Sequence, residues 1–369
     1  MRVEPYAPAH AAAWDALVTS AANGPFLLRR TFVDYHAHRF PDRSWLVWRG
    51  AQLRAVFAAA HDQRLPPSAQ LVAHPGLPYG GLVHPLNLKY AELADIMAAL
   101  HAAWHAAGYR QLLVRPVPGA FCRQPTDGQA FWLHQHGARL VARELNSVVD
   151  LTQPYRVGTW RRGNLRKARR AGLAVGAAPA ADYAPFWALL TDNLVRAHSR
   201  QPVHTLAEIE HLRDANPGHL ELWAARLGTE LVAGVLVFQD AAQGFAHTQY
   251  IAGNARGKQV GAVDAVLAAV LHAKHAEAYR RLSFGISTVQ GAINGALAKF
   301  GSDSRAVDVA RQFNTSKMDA MESGMGALVD ADLAKESAKL QALQVRQQLG
   351  TQALSIANQA PQSLLSLFR

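Results

Sequence analysis

The stretch from Gly244 to Thr288 constrains the fold of this chain more than any other part of the sequence. It opens with G-F-A-H-T-Q-Y-I-A-G, where aromatic and β-branched residues between glycines predict a β-strand. A basic turn, N-A-R-G-K-Q-V-G-A, comes next, and Val263, Val266 and Val270 then follow at helical spacing. The segment R-R-L-S-F-G-I-S-T predicts a second strand. Strand, turn, helix and strand in this order predict an α/β protein built on a βαβ-like unit.

The glycine-punctuated turn within this unit has two interpretations. A helix that begins after glycines presents free backbone N–H groups and the positive end of its dipole, and both favour a bound phosphate. The turn can equally serve only to pack the helix closely on the sheet. A loose glycine pattern does not decide between the two interpretations, so both stay open.

The order of predicted elements occurs twice along the chain. The first half has two short helices, a hairpin at Gly50, a glycine-broken strand, and a helix over 90–107 that leads into another strand. The second half has a helix over 183–198, a hairpin at Gly228 and then the βαβ-like unit. We interpret this order as an internal duplication at an offset of about 170 to 180 residues, in which His74 corresponds to His247. Convergence on a common α/β layout is the alternative.

Positive charge is concentrated in the first three hundred residues. The 369-residue chain carries a formal net charge of +11, whereas basic and acidic residues are equal in number from Gly301 onward. This break in composition predicts a domain boundary between Phe300 and Ser302. The excess charge favours acidic partners such as nucleotides, phosphates, sugar-nucleotides or nucleic acid.

The sequence favours a cytoplasmic location. No apolar run reaches the length that spans a bilayer, and the N-terminus lacks the apolar core of a signal peptide. The single cysteine, Cys122, excludes an internal disulfide and fits a reducing compartment. We therefore expect a cytoplasmic protein without a membrane span and without a disulfide.

A dense basic segment, R-R-G-N-L-R-K-A-R-R-A-G, lies between the two halves and predicts a helix from Thr159. Such a run usually forms a solvated face. It can also bind a phosphate-bearing or acidic substrate, because arginine forks match phosphate oxygens. The candidate substrate-binding residues are Arg161, Arg162, Asn164, Arg166 and Lys167. Nucleic acid is disfavoured, because Trp160 is the only interleaved aromatic residue.

Several segments of the front part together resemble a known family. They are H-P-G-L-P-Y-G-G-L, L-N-S-V-V-D-L, R-R-G-N-L-R-K-A, P-V-H-T-L-A-E-I, A-G-V-L-V-F, H-T-Q-Y-I-A and F-G-I-S-T. In this order, over residues 25–300, they resemble the tandem GNAT-type acyltransferases related to Fem-type peptidyltransferases. The resemblance implies two GNAT-like α/β domains with mixed sheets flanked by helices, over 1–150 and 151–300.

The same resemblance implies acetyl-CoA or another acyl-CoA as co-substrate, and no metal. The pyrophosphate of the acyl-CoA is expected at the glycine turn after the central strand. The cofactor-binding candidates there are Gly253, Arg256, Gly257, Lys258, Gly261 and Ala262. Fem-type relatives instead take an aminoacyl donor from tRNA, so tRNA is a partner only in that case. The expected acceptor is an amine or hydroxyl of a sugar, a sugar-nucleotide or a surface-polysaccharide precursor.

Transfer of an acyl group from a thioester needs a base, an oxyanion donor and an acid for the leaving thiolate. His204 and Glu208 are four residues apart, so on a helix they share a face as candidate base and orienting group. His247 and Tyr250 border the expected cofactor turn, and Tyr250 is the candidate acid. A hydrogen-bonded structural role is the alternative for each of these residues.

The tail predicts a long amphipathic helix. An apolar stripe at heptad-like spacing runs through Leu333, Leu340, Leu343, Leu354 and Leu364. A helix with such a stripe and few charges needs a partner that covers the stripe.

The run L-V-D-A-D-L-A-K-E-S-A-K-L-Q-A-L-Q and the sequence that follows it resemble the C-terminal end of bacterial flagellin. This third region, 301–369, implies flagellin or a flagellin export chaperone as partner.

The sequence thus predicts an acyltransferase joined to a flagellin C-terminal helix, with a link to flagellin modification suggested by the fusion alone. The competing hypothesis is a flagellin-like structural or flagellum-associated protein whose front part is an inactive passenger. It implies a flagellar or secreted location instead of a cytoplasmic one. A gene fusion without combined function is the third interpretation.

Overall fold

The computed structural model describes residues 1–61, 70–124, 126–142, 147–277, 279–284 and 338–353. The chain divides into two compact units, Met1–Ile293 and Asn294–Arg369. The first unit contains both predicted α/β halves. In the second unit, the described residues 338–353 form a helix.

The first half contains seven strands and four α-helices among the described residues. They are β1 Arg2–Pro5, α1 Ala11–Ser20, α2 Arg30–Val33, β2 Trp45–Arg49, β3 Gln52–Ala58, β4 Gln70–Ala73, β5 Gly81–Val83, α3 Tyr90–Ala106, β6 Gln111–Val114, α4 Gly128–Gln135 and β7 Ser147–Asp150. Helix α3 buries the apolar face that its spacing predicts, including Ile96, Leu100 and Trp104.

One strand position of the first half is interrupted. Strands β1, β2, β3 and β5 form an antiparallel sheet, and β4 pairs in parallel with β6 in a second small sheet. Strands β4 and β5 both pair with the segment formed by β3 and the two residues after it. Ala58 of β3 pairs with Gly81 of β5, and Ala60 forms a bridge with Val72 of β4. Residues 74–80 therefore leave the strand line as an excursion between β4 and β5.

The second half contains the remaining elements of the first unit. They are α5 Thr159–Arg170, β8 Ala174–Ala177, α6 Tyr183–His198, α7 Leu206–Ala215, β9 Leu220–Leu227, β10 Glu230–Asp240, β11 Phe245–Gly253, α8 Ala255–Val260, α9 Ala262–Ala276 and β12 Arg281–Phe284. The strands form one mixed sheet in the order β7-β12-β11-β10-β9-β8. Only β11 and β12 are parallel in it, as the predicted βαβ-like unit requires.

The two halves share one hydrophobic core. Trp14 and Phe26 of the first half lie in the same buried cluster as Phe186 and Tyr250 of the second. The last residue of β10 also bonds to the first half, because Asp240 accepts a hydrogen bond from the Phe26 amide at 2.8 Å. Burial of large aromatic rings from both halves stabilises the contact between the halves. The two halves therefore have a fixed arrangement within the first unit.

The predicted α/β class with mixed sheets and a C-terminal helix is confirmed. The hairpins at Gly50 and Gly228 and the helix over 183–198 lie where the sequence predicts them. Strand β12 begins the predicted R-R-L-S-F-G-I-S-T strand, and residues 285–288 lie outside the described residues. Of the predicted tail stripe, Leu340 and Leu343 lie on the helix over 338–353 and are exposed, and Leu333, Leu354 and Leu364 lie outside the described residues. No helix in the described part of the chain is both long and apolar enough to cross a bilayer.

Candidate active site

A bulge in β11 determines which face of the sheet its polar side chains occupy. Tyr250 pairs with Leu236 and Thr248 pairs with Val237, so Gln249 is an extra residue in the strand. Side chains alternate along a regular strand, and residues three apart then face opposite sides. The extra residue restores His247 and Tyr250 to one face. Core packing agrees, because Phe245 and Tyr250 lie in the core shared by the halves.

The face of β11 that carries His247 forms a wall of a cavity of about 810 Å³. The opposite wall comes from the first half, through β4, β6 and the excursion between β4 and β5. His247 and Gln249 contribute polar groups from β11, and His74 contributes one from the first half. A mainly apolar cleft of this size with a few convergent polar groups is the usual form of a small-molecule site.

His247 is a neutral imidazole in the cavity wall. Its ring packs edge-on against Phe121 with ring centroids 5.6 Å apart. Burial disfavours the charged ring and lowers the pKa of His247 to about 4. Its Nδ1 atom has no hydrogen-bond partner among the described residues. A neutral imidazole carries a lone pair that can accept a hydrogen bond or a proton from a bound acceptor, and the low pKa makes it a weak base at pH 7. His247 therefore stays a candidate general base by its position in the cavity wall.

His74 lies across the same cavity and was absent from the predicted catalytic set. It follows β4, is only 2% exposed, and its Nδ1 atom also lacks a partner in the described part of the chain. Burial lowers the pKa of His74 to about 3. The sequence carried a signal for it, because the internal repeat aligns His74 with His247.

His204 and Tyr250 form a separate buried pair. The His204 Nδ1 atom lies 2.6 Å from the Tyr250 hydroxyl. Burial lowers the pKa of His204 to about 4 and raises the pKa of Tyr250, so both groups are neutral near pH 7. The hydroxyl therefore donates and the imidazole nitrogen accepts. The raised pKa of Tyr250 favours hydrogen-bond donation over proton transfer, and neither residue is among the wall residues of the cavity.

The prediction that His204 and Glu208 share a helix face is wrong. Helix α7 begins at Leu206, and Thr205 is its N-cap, so His204 precedes the helix. Glu208 completes a capping box by accepting a hydrogen bond from the Thr205 amide at 2.7 Å. It also forms an ion pair with Arg39 at 2.5 Å. Glu208 thus holds the start of α7 and makes no hydrogen bond to His204.

The predicted cofactor turn is a short helix, α8, that joins β11 to α9. The Asn254 side chain accepts a hydrogen bond from the Gly257 amide at 2.7 Å. A Cβ on Gly257 would lie 2.3 Å from the Val232 carbonyl oxygen, so this glycine permits close packing on β10. Arg256 pairs with Glu230 at 2.9 Å, whereas Lys258 is exposed.

The start of α9 is covered by α5. Gly261 adopts a left-handed φ of +76°, and a Cβ there would lie 2.8 Å from the Asn164 carbonyl oxygen. The Asn164 side chain donates a hydrogen bond to Asp264 in the first turn of α9 at 2.6 Å. The predicted residues Gly253, Gly261 and Ala262 are buried. These contacts support the interpretation of the turn as close packing of helix on sheet, and its role in phosphate binding stays a prediction.

The basic segment is helical from Thr159, as predicted. Arg162, Arg166 and Lys167 are exposed, Arg161 is half-buried, and Asn164 faces α9. Lys167 lies in the last turn with two further arginines, where positive charge interacts favourably with the helix dipole. Asn164 therefore takes part in the packing of α5 on α9.

Two family models match different parts of the chain. Residues 160–292 match the acetyltransferase (GNAT) domain, and residues 286–368 match the bacterial flagellin C-terminal helical region. The sequence-based resemblance to both families is thereby confirmed over these residues.

Individual proteins show the same two-part likeness. The solved structure of FemX is similar over 77% of this chain and 88% of its own, with a TM-score of 0.54 and 13% identity, which shows the fold alone. Flagellin FljJ of Caulobacter vibrioides is 56% identical over 78 residues, which are 21% of this chain and 28% of FljJ. Flagellin A of Rhizobium meliloti is 42% identical over 117 residues, 32% of this chain and 30% of that flagellin. The chain thus spans less than a third of the length of these flagellins.

Proposed function

We propose that this chain is an acyltransferase that moves an acyl group from acyl-CoA to an amine or hydroxyl of a sugar, a sugar-nucleotide or a surface-polysaccharide precursor. The observation that carries the proposal is the placement of His247. With the bulge in β11, this neutral imidazole lies in the wall of a cavity between the two halves. The GNAT match over 160–292 covers the strand that holds it.

The proposed reaction needs two proton transfers, one from the acceptor and one to the leaving thiolate. The acceptor N–H or O–H attacks the thioester carbonyl carbon, and His247 takes the acceptor's proton. A C–N or C–O bond forms and the C–S bond breaks. The His247 imidazolium then returns the proton to the departing thiolate. Tyr250, the predicted acid, donates its single hydroxyl proton to His204 and lies outside the cavity wall, so in this reaction it would act by positioning β11.

The remaining predicted residues keep supporting roles in this proposal. The segment from Gly253 to Ala262 would lie beside the pyrophosphate, and the exposed Lys258 would supply a positive charge there. The exposed face of α5, through Arg162, Arg166 and Lys167, would attract the phosphates of a sugar-nucleotide. We place the three functional regions at 1–150, 151–300 and 301–369, and the reaction in the cytoplasm.

Release of free thiol from acyl-CoA in the presence of amino sugars and amino-sugar nucleotides tests the proposal. We expect His247→Ala to lower the rate about 10²- to 10⁴-fold, the usual contribution of a general base. His211→Ala is the matched control, because His211 is an exposed histidine on α7 away from the cavity. Equal rates for the two variants, or no acceptor-dependent thiol release by the wild-type chain, would refute the proposal.

A second function is favoured by the flagellin match over 286–368. We propose that this region binds flagellin or a flagellin export chaperone, either to bring the acyltransferase to flagellin sugars or as a flagellum-associated protein with an inactive front part. Co-precipitation of the full chain with each partner tests it. Leu340→Asp with Leu343→Asp should abolish binding, because both leucines are exposed on the helix over 338–353. Gln341→Asp on another face should retain it, and equal binding by all variants would contradict this role.

A further inference from the structure

The cavity between the halves is far larger than an acetyl group. Its volume is about 810 Å³, whereas one water molecule takes up about 30 Å³ in the liquid and an acetyl group only about two or three times that. Its inner wall is mainly aliphatic and aromatic. The apolar side chains come from both halves: Val72, Leu112, Val114, Leu133, Phe238 and Phe245.

The apolar lining continues to the mouth of the cavity. Leu113, Leu140 and Val141 belong to the wall and are 39%, 72% and 72% exposed. Large apolar side chains that remain exposed together around a cleft mark a site for an apolar ligand. A small polar acceptor alone would leave this surface in contact with water.

Polar groups are placed within this apolar wall. His74 and His247 approach the cavity from opposite halves, and the Nδ1 atom of each lacks a hydrogen-bond partner among the described residues. Buried polar atoms are nearly always paired, with protein, water or ligand. A ligand that satisfies the whole cavity therefore combines an apolar chain with a polar head group.

We propose that the cavity holds the hydrocarbon chain of the transferred acyl group, so that the preferred donor carries a medium-length or long chain instead of acetyl. The thioester carbonyl lies at His247, and the chain extends between β11 and the β4–β6 pair towards Leu113. This inference rests on the proposed acyl-CoA donor for its place in the reaction. The chain-binding site itself can be tested without transfer.

Calorimetric titration of the full chain with acetyl-CoA, hexanoyl-CoA, decanoyl-CoA and free decanoate tests the proposal. Each methylene that is fully buried should tighten the dissociation constant by up to about fourfold, which corresponds to about 0.8 kcal/mol. We expect decanoyl-CoA to bind at least about a hundredfold more tightly than acetyl-CoA, and decanoate to bind on its own. Affinity that is independent of chain length, with no binding of decanoate, would overturn the proposal.

A matched pair of variants locates the bound chain. Leu113→Asp places a charge in the cavity wall, whereas Val148→Asp places one at a strand position that is equally exposed but outside the wall. Both positions are about 40% exposed, so both variants should fold, and thermal melting checks this. Leu113→Asp should weaken decanoate binding about tenfold or more while Val148→Asp leaves it unchanged. Equal weakening by the two variants would contradict the assignment.

Failure of the inference and failure of the proposed function give different results. Thiol release with acetyl-CoA at the same rate as with decanoyl-CoA, together with no decanoate binding, removes the chain site and leaves the acyltransferase. Decanoate binding that Leu113→Asp weakens, without acceptor-dependent thiol release from any donor, removes the acyltransferase and leaves the chain site.

Discussion

The two halves of the first unit differ in the strand that follows the hairpin. In the second half, β11 crosses the sheet as one continuous strand with a single extra residue, Gln249. In the first half, the corresponding strand is split into β4 and β5 by residues 74–80. The one-residue bulge only turns side chains to a new face. The excursion divides the sheet, and its residues become a wall of the cavity.

The difference shows how two halves with the same order of elements can present different surfaces. The second half keeps a continuous six-stranded sheet in which β11, the strand of His247, is paired on both sides. The first half gives up ladder hydrogen bonds and gains a binding wall. Its excursion packs against His36, whose Nδ1 and Nε2 atoms lie 2.9 Å from the Val33 carbonyl oxygen and 3.2 Å from that of Gly76; the neutral ring donates to one of the two.

Acid should destabilise both halves, and this is the largest effect we expect. The buried His74, His204 and His247 have pKa values of about 3, 4 and 4, below the unfolded value of about 6.5. Each therefore contributes stability that is fully present above pH 6.5 and is lost as the pH falls towards its folded pKa. The expected loss is about 2–3 kcal/mol per histidine by pH 4.5.

Urea unfolding at pH 7.5, 5.5 and 4.5 measures this loss and assigns it to a half. His74→Gln should remove the part of the pH dependence that His74 contributes, and His247→Gln the part that His247 contributes; the lowered pKa values of His36 and His84 leave a further part in the first half. A pH dependence that is identical in both variants and the wild type would show that neither imidazole is held neutral by the fold.

Gly76→Ala tests whether the excursion of the first half is a rigid wall. A Cβ at this position would lie 2.1 Å from the His36 Nε2 atom, and His36 is buried with little room to move. Overpacking of this kind costs about 1–3 kcal/mol. Gly119→Ala is the control, because a Cβ there meets nothing within 4 Å. Thermal or urea unfolding of the two variants measures the difference, and equal stability would mean that the excursion adapts freely.

Tyr250→Phe tests the second half's buried pair and should have the smallest effect. The change removes the hydroxyl that donates to His204 and leaves a buried nitrogen unpaired, at a cost of about 1 kcal/mol or slightly more. The thiol-release assay of the same variant measures whether the pair also supports the transfer. His204→Phe in the same assays separates packing from hydrogen bonding. A Tyr250→Phe chain with unchanged stability and unchanged rate would make the pair dispensable.

Local patterns in the sequence predicted most of the elements. The spacing of apolar residues predicted α3 and α6, and β-formers on either side of Gly50 and Gly228 predicted both hairpins. The local sequence could also have corrected the prediction for His204 and Glu208. T-L-A-E is a capping-box sequence, which starts the helix at Leu206 and leaves His204 outside it. These features depend on neighbouring residues, which is why the sequence alone determines them.

The site itself was decided by long-range pairing. Alternation places His247 and Tyr250 on opposite faces, and only the register of β11 against β10 introduces the bulge that brings them together. Likewise, β7 belongs to the first half by its place in the chain, yet it pairs with β12 at the edge of the second sheet. No residue near these positions encodes its distant partner, because strand pairing joins segments far apart in sequence. The sequence thus determined the elements and the flagellin-like tail, and the tertiary structure decided which imidazoles face one cavity.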